Sequence, residues 1–158
     1  MYAQRSDTGK RPVSAQVEAV VEQEFAAGLT RERGYAGFQA KADRVKDDFV
    51  AFLIDAKRQG KPVAGYGAAA KGSTLLNYGG VKPDLLPFVV DRNPAKRSNY
   101  LPGSRIPMVP EERLRQERPD YVVILPWNLN AEVMDPLSYI RDWGGRFVTA
   151  VPVLQVHD

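Results

Sequence analysis

The chain has 158 residues, 44% of them hydrophobic and 26% charged, with a formal net charge of +3, which suits one globular domain or one domain with an appendage. It has no cysteine and one histidine, His157, next to the C-terminus; disulfides, thiolate metal sites and His-based nucleophilic or zinc chemistry are excluded on this chain, and His157 reads as a solvated tail residue. No apolar run is long enough for a bilayer, no signal-type core opens the chain and the Lys and Arg residues are scattered among acids, so a cytoplasmic protein with neither a membrane nor a nucleic-acid partner is expected.

Residues 1–13 are polar and broken by Gly9 and Pro12, and read as a linker or the remnant of a preceding domain. Ser14 is a helix N-cap, with Val17, Val20 and Val21 on one face of a helix ending near Gly28. A second helix follows Gly34, where Phe38, Ala42, Val45, Phe49, Phe52, Leu53 and Ala56 recur at three- and four-residue steps and predict a core-facing stripe. Lys57 and Arg58 in its last turn and Gly60 after it supply the stop. Residues 14–60 thus form an N-terminal helical extension packing on the domain that follows, residues 61–158.

From Lys61 short apolar runs alternate with helical segments. Strands are predicted at Pro62–Tyr66, Phe88–Asp91, Ile106–Val109, Tyr121–Leu125 and Arg146–Val151. Helices are predicted at Lys71–Tyr78, from Pro110, and over Asn130–Trp143. Apolar strands bounded by helices imply an α/β fold: a Rossmann-like, doubly wound parallel sheet of about five strands, in the order 3-2-1-4-5.

The first strand runs into Gly65-Tyr66-Gly67-Ala68-Ala69-Ala70-Lys71-Gly72-Ser73-Thr74. Gly65, Gly67 and Ala70 fit the G-x-G-x-x-G/A spacing of a phosphate-binding turn, which aims the free N–H groups of a helix start at an anion. Lys71, Ser73 and Thr74 add a charge and hydroxyl donors. The competing reading is a glycine turn that only lets helix and strand pack. Asp91 ends the second strand, where dinucleotide folds hold a ribose hydroxyl; Asp91-Arg92-Asn93-Pro94 is equally an Asx turn. Trp127 and Asn128 leave the fourth strand at the switch point, placed to stack on and hydrogen-bond a ligand, or to anchor the loop and cap a helix. Tyr100 reads as part of a structural turn ahead of a place lining the same crevice, Glu111 and Glu112 complement a helix dipole, and no pair of residues suits acid–base catalysis.

Gly65-Tyr-Gly-Ala-Ala-Ala-Lys-Gly-Ser-Thr-Leu-Leu-Asn77-Tyr78 resembles the C-terminal domain of sugar C-methyltransferases. So do Val90-Asp-Arg-Asn-Pro-Ala-Lys96, Tyr100-Leu-Pro-Gly-Ser-Arg-Ile-Pro107, Arg118-Pro-Asp-Tyr-Val-Val-Ile-Leu-Pro-Trp-Asn128 and Trp143-Gly-Gly-Arg-Phe147. The resemblance runs from Pro12 to Pro152. It implies the last part of a three-part enzyme, in which a small zinc-binding domain and a middle domain that binds S-adenosylmethionine precede this one. Tyr2-Ala-Gln-Arg5 then resembles the last strand of the middle domain, with Met1 an added start. The implied substrate is a nucleotide-linked keto sugar, and the implied partners are those two preceding domains. Zinc, S-adenosylmethionine and every catalytic residue are expected there; this chain alone is expected to bind no cofactor and to be inactive. The substrate-side surface falls on Gly65, Tyr66, Gly67, Lys71, Ser73, Thr74, Asn77, Asp91, Arg92, Asn93, Trp127 and Asn128. An independent NAD- or nucleotide-binding module and a purely structural docking domain remain the alternatives.

Overall fold

The computed structural model describes residues 3–96 and 98–158. Two compact units are present, Met1–Ala40 and Lys41–Asp158, and each is described by itself.

In the first unit, α1 (Ala15–Ala26) starts at Ser14, which has the extended backbone of an N-cap but makes no capping hydrogen bond with its side chain. The predicted apolar face exists, yet no residue of α1 is buried: Val17, Val20 and Val21 are more than half exposed. A 3-10 turn follows at Glu32–Tyr35, and the Tyr35 hydroxyl donates to the Leu29 carbonyl at 2.8 Å. Of the strand stub expected near the N-terminus, Met1 and Tyr2 lie outside the described residues, and Ala3, Gln4 and Arg5 have no regular structure.

α2 (Phe38–Arg58) begins in the first unit and continues into the second. Its stripe works as predicted from Val45 onward. Phe49, Leu53 and Ala56 are buried, with Val45 and Phe52 packed against them. Phe38, predicted to join this core, belongs to the first unit and is 66% exposed.

The second unit holds a six-stranded sheet, ordered β3-β2-β1-β4-β5-β6. The strands are β1 (Val63–Tyr66), β2 (Val89–Val90), β3 (Met108–Val109), β4 (Tyr121–Ile124), β5 (Arg146–Thr149) and β6 (Gln155–His157). The first five pair in parallel, in the predicted order. Every residue of β1 and β4 is buried, as expected for central parallel strands covered on both faces. One face carries α2 and α3 (Ala70–Tyr78) over Val63, Val89, Val123 and Val148. The other carries α4 (Glu112–Glu117) and α5 (Asn130–Met134) over Ala64, Tyr66, Val122, Ile124 and Phe147.

Three expectations are corrected. The sixth strand, β6, returns antiparallel on β5, so His157 is no solvated tail residue: its Nε2 lies 2.9 Å from Thr149 Oγ1. Such a hairpin partner needs no crossover helix and left no helix-strand alternation to read. The helix expected over 130–143 is two pieces, α5 and a 3-10 turn at Ser138–Trp143. Pro136 lies between them; without an N–H it cannot continue the ladder. The second and third strands shrink to two residues each. The open edge of β3 is covered instead by its own preceding loop. Ser98 N–H donates to the Met108 carbonyl, Met108 N–H to that of Asn99 and Leu101 N–H to that of Ile106. Among the described residues no helix is long and apolar enough to cross a membrane.

Candidate ligand-binding crevice

The loops leaving β1, β2 and β4 meet at the carboxyl end of the sheet, where open α/β folds bind ligands. The β1 loop turns at Gly67 with φ +82°, and a Cβ there would lie 2.7 Å from Pro126 Cδ. Gly72 packs the first turn of α3 on Leu125, where a Cβ would come within 2.6 Å of that residue's own Cβ. Gly67 thus lets the β1 loop touch the loop after β4, and Gly72, outside the three motif positions, lets α3 pack on the end of that strand.

Asp91 ties the β1 loop to the β2 loop. Its Oδ2 accepts the Ala68 N–H at 2.8 Å and the Lys96 ammonium at 3.0 Å; its Oδ1 accepts the Asn93 N–H at 2.8 Å, closing the Asx turn. Lys96 also donates to the Ala68 carbonyl at 3.0 Å. Burial works to raise the Asp91 carboxyl, but the bonds from Asn93, Lys96 and Ala68 outweigh it and hold the group below its ordinary value. Three of the carboxylate's roughly four acceptor positions are thus taken internally. Asn93 continues the turn by accepting the Ala95 N–H at 3.0 Å.

Asn77 is also committed. Its amide donates to the Ser73 carbonyl at 2.8 Å and to the Pro102 carbonyl at 2.9 Å, fastening α3 to the 99–104 loop. The Thr74 hydroxyl donates back to the Ala70 carbonyl.

Other polar groups of the same crevice lie at the start of α3. α3 starts at Ala69, which offers no side-chain cap, and its first turn holds no acid. The Ser73 N–H opens the helical ladder by donating to the Ala69 carbonyl at 3.0 Å; the N–H groups ahead of it have no partner within the helix and present a partial positive charge. Exposed Lys71 stands at this end, its ammonium donating to Asn128 Oδ1 and lying 5.3 Å from the Trp127 ring centroid. The structure therefore brings Lys71, Trp127 and Asn128 together, as the predicted strand order requires. Ser73 is half-buried in the same turn.

Arg92 leaves β2 toward the opposite face, where its Nε donates to Glu111 Oε2 at 2.9 Å. Tyr139 donates to Glu111 Oε1 at 3.4 Å; at Tyr66, the last residue of β1, burial raises the phenol above its ordinary value. Glu111 is thus more than a helix-dipole residue, and Tyr139 carried no sequence signal of any role, because Glu111 and Arg115, which meet it, lie more than twenty residues away in the chain.

A zinc site does not fit this chain. It has no cysteine, and among the described residues no group of three or more His, Cys, Asp or Glu side chains is placed to hold a metal. No observation favours S-adenosylmethionine at the glycine turn, since the acid beside it is engaged by Ala68, Asn93 and Lys96.

Fold and crevice together define a Rossmann-like α/β domain whose α3 begins, without a side-chain cap, at the switch point. The chain belongs to the family described as the C-methyltransferase C-terminal domain, whose profile matches residues 1–152. It is 35% identical over 147 residues to the C-methyltransferase NovU of Streptomyces niveus, a match covering 93% of this chain and 34% of that protein. The chain therefore spans about a third of the length of this curated relative.

Proposed function

We propose that this chain is the substrate-side domain of an S-adenosylmethionine-dependent C-methyltransferase acting on a nucleotide-diphosphate-linked keto sugar. Its partners in this reading are the zinc-binding and middle domains of the longer protein, which supply the methyl donor and the catalytic groups. This domain holds the substrate and is inactive alone.

One observation carries the reading: the uncapped start of α3, with Lys71 held beside it by Asn128 and Trp127. A diphosphate there would receive backbone N–H donors and one ammonium, while Trp127 offers a ring face to a base or sugar. Asp91 and Asn77 act as positioning residues, since their side chains hold the loops that form the crevice.

Titrating the domain with thymidine diphosphate while recording amide shifts tests this. Shifts are expected at Ala70–Thr74 and at Asn128, and Lys71→Ala should weaken binding about tenfold, the equivalent of one charge-assisted hydrogen bond. Shifts produced only by S-adenosylmethionine, away from Gly65–Thr74, would overturn it. Saturable binding of NAD in preference to thymidine diphosphate would favour an independent nucleotide-binding module.

A further inference from the structure

We propose that the groove between α2 and the segment 151–154 is a docking site for an amphipathic helix of a partner outside this chain, one whose apolar stripe is flanked by Lys or Arg. The groove is separate from the crevice, which is built from the loops at the carboxyl ends of the strands.

α2 turns one continuous face toward the groove, where Asp48, Ala51, Phe52 and Asp55 recur at three- and four-residue steps. Val153 and Leu154 form the opposite wall, and the space between them is about 530 Å³. The way the chain crosses the sheet leaves this space open. Leu114 of α4, Val133 of α5 and Ile140 of the 3-10 turn are all buried in the cluster on the other face. After β5 the chain turns back as a hairpin into β6, with no crossover helix. Among the described residues, α2 therefore has no helix beside it toward β5 and β6, and Val151 and Leu154 close the core there.

The floor is apolar and open. Phe52 meets Tyr121 edge to face, with ring centroids 5.0 Å apart, and is only half-buried. Val153 is 62% exposed. Val156, 40% exposed, pairs with Val148, which lies in the core under α2. Directly paired residues of an antiparallel ladder project to the same face, so Val156 extends the floor across β6. An exposed apolar strip rimmed by polar groups marks an interaction surface.

The rim selects the partner's charge. Asp48 has no ion-pair partner among the described residues, since the only ammonium nearby in α2, that of Lys46, pairs with Asp47. Asp55 reaches Arg58 only at 3.7 Å, a contact between two exposed side chains that neutralises little. The cations at the floor attend Tyr121: the Lys61 ammonium lies 5.7 Å from its ring centroid, and Arg146 donates to its hydroxyl at 2.7 Å. Asp48 and Asp55 stand two turns apart on α2, about 10.5 Å along the axis. A helix lying alongside presents Lys or Arg at the same two-turn spacing, with its apolar stripe on Phe52, Val153 and Leu154. The chain's net charge is +3, so its overall field does not draw a basic partner; these two carboxylates do. A second copy offers no such helix. α1, whose apolar face is exposed, carries Glu18, Glu22 and Glu24 and no Lys or Arg.

The test titrates the chain into a fluorescein-labelled amphipathic peptide of leucine and lysine, beside one with glutamate in place of lysine. The lysine peptide should bind saturably, and the glutamate peptide about tenfold more weakly. Amide shifts should fall at Asp48–Gln59 and Val153–Val156. The double variant Asp48→Asn, Asp55→Asn should weaken binding about fivefold and flatten its salt dependence. Val153→Ser should weaken it about threefold without changing the charge. All three positions are exposed, so the variants keep the fold. No binding, equal binding of the two peptides, shifts confined to α1, or an unchanged affinity in the double variant overturns the proposal. A dimer in light scattering, with its contact shifts in this groove, assigns the groove to a second copy and overturns the basic partner.

Discussion

Asp91 accepts from two backbone N–H groups and one ammonium, and so fixes two loops at once. Asp91→Ala should cost about 1–3 kcal/mol by urea denaturation, because two backbone N–H groups and an ammonium lose a charged acceptor. The pH dependence has a definite sign. Its folded value is depressed, so its contribution is full above the unfolded value near 3.8 and is lost as pH falls through the folded value. The wild type and Asp91→Ala should accordingly draw together in stability as the pH falls below 3.8. Gly67→Ala places a side chain at φ +82° and 2.7 Å from Pro126. It should cost about 1–3 kcal/mol, measured by the same unfolding curves. The spacing of Gly65, Gly67 and Ala70 was legible as a turn into a helix. That Gly67 lies against Pro126 was not, since the two are neighbours only once β1 pairs with β4.

At the scale of elements, α2 and α1 make a contrast. Both show apolar residues at helical spacing, but Leu53 is fully buried and Val20 is 52% exposed. Leu53→Ala should cost about 2–5 kcal/mol, whereas Val20→Ala should change stability by less than about 0.5 kcal/mol. Parallel chemical-denaturation curves check both. Periodicity announces a face and its direction; whether anything covers that face is a tertiary fact. Pro136 and the two-residue strands β2 and β3 mark where local pattern misled. A helical period persists across a proline that the backbone cannot pass, and an apolar run does not say how many of its residues find ladder partners.

At the scale of the molecule, both clusters of buried core residues draw only on residues from Phe49 onward. Amide exchange should therefore be uneven. The amides of β1 and β4 should exchange at the slow, global limit, and those of α1, which buries no residue, several orders of magnitude faster. A twelve-residue helix without burial is marginal in water, which is the physical reason. Comparable protection in α1 and β4 would contradict this account.

The sequence by itself determined the α/β class, the parallel order from β3 to β5, the helix start after Gly67 and the family, because each rests on local apolar runs, turn residues or ordered motifs. Only the tertiary structure decided which polar groups face one another. It set Asp91 on Ala68 and Lys96, Lys71 on Asn128, and Glu111 between Arg92 and Tyr139. Those pairings join residues brought together by strand pairing and loop convergence, and no local pattern encodes them.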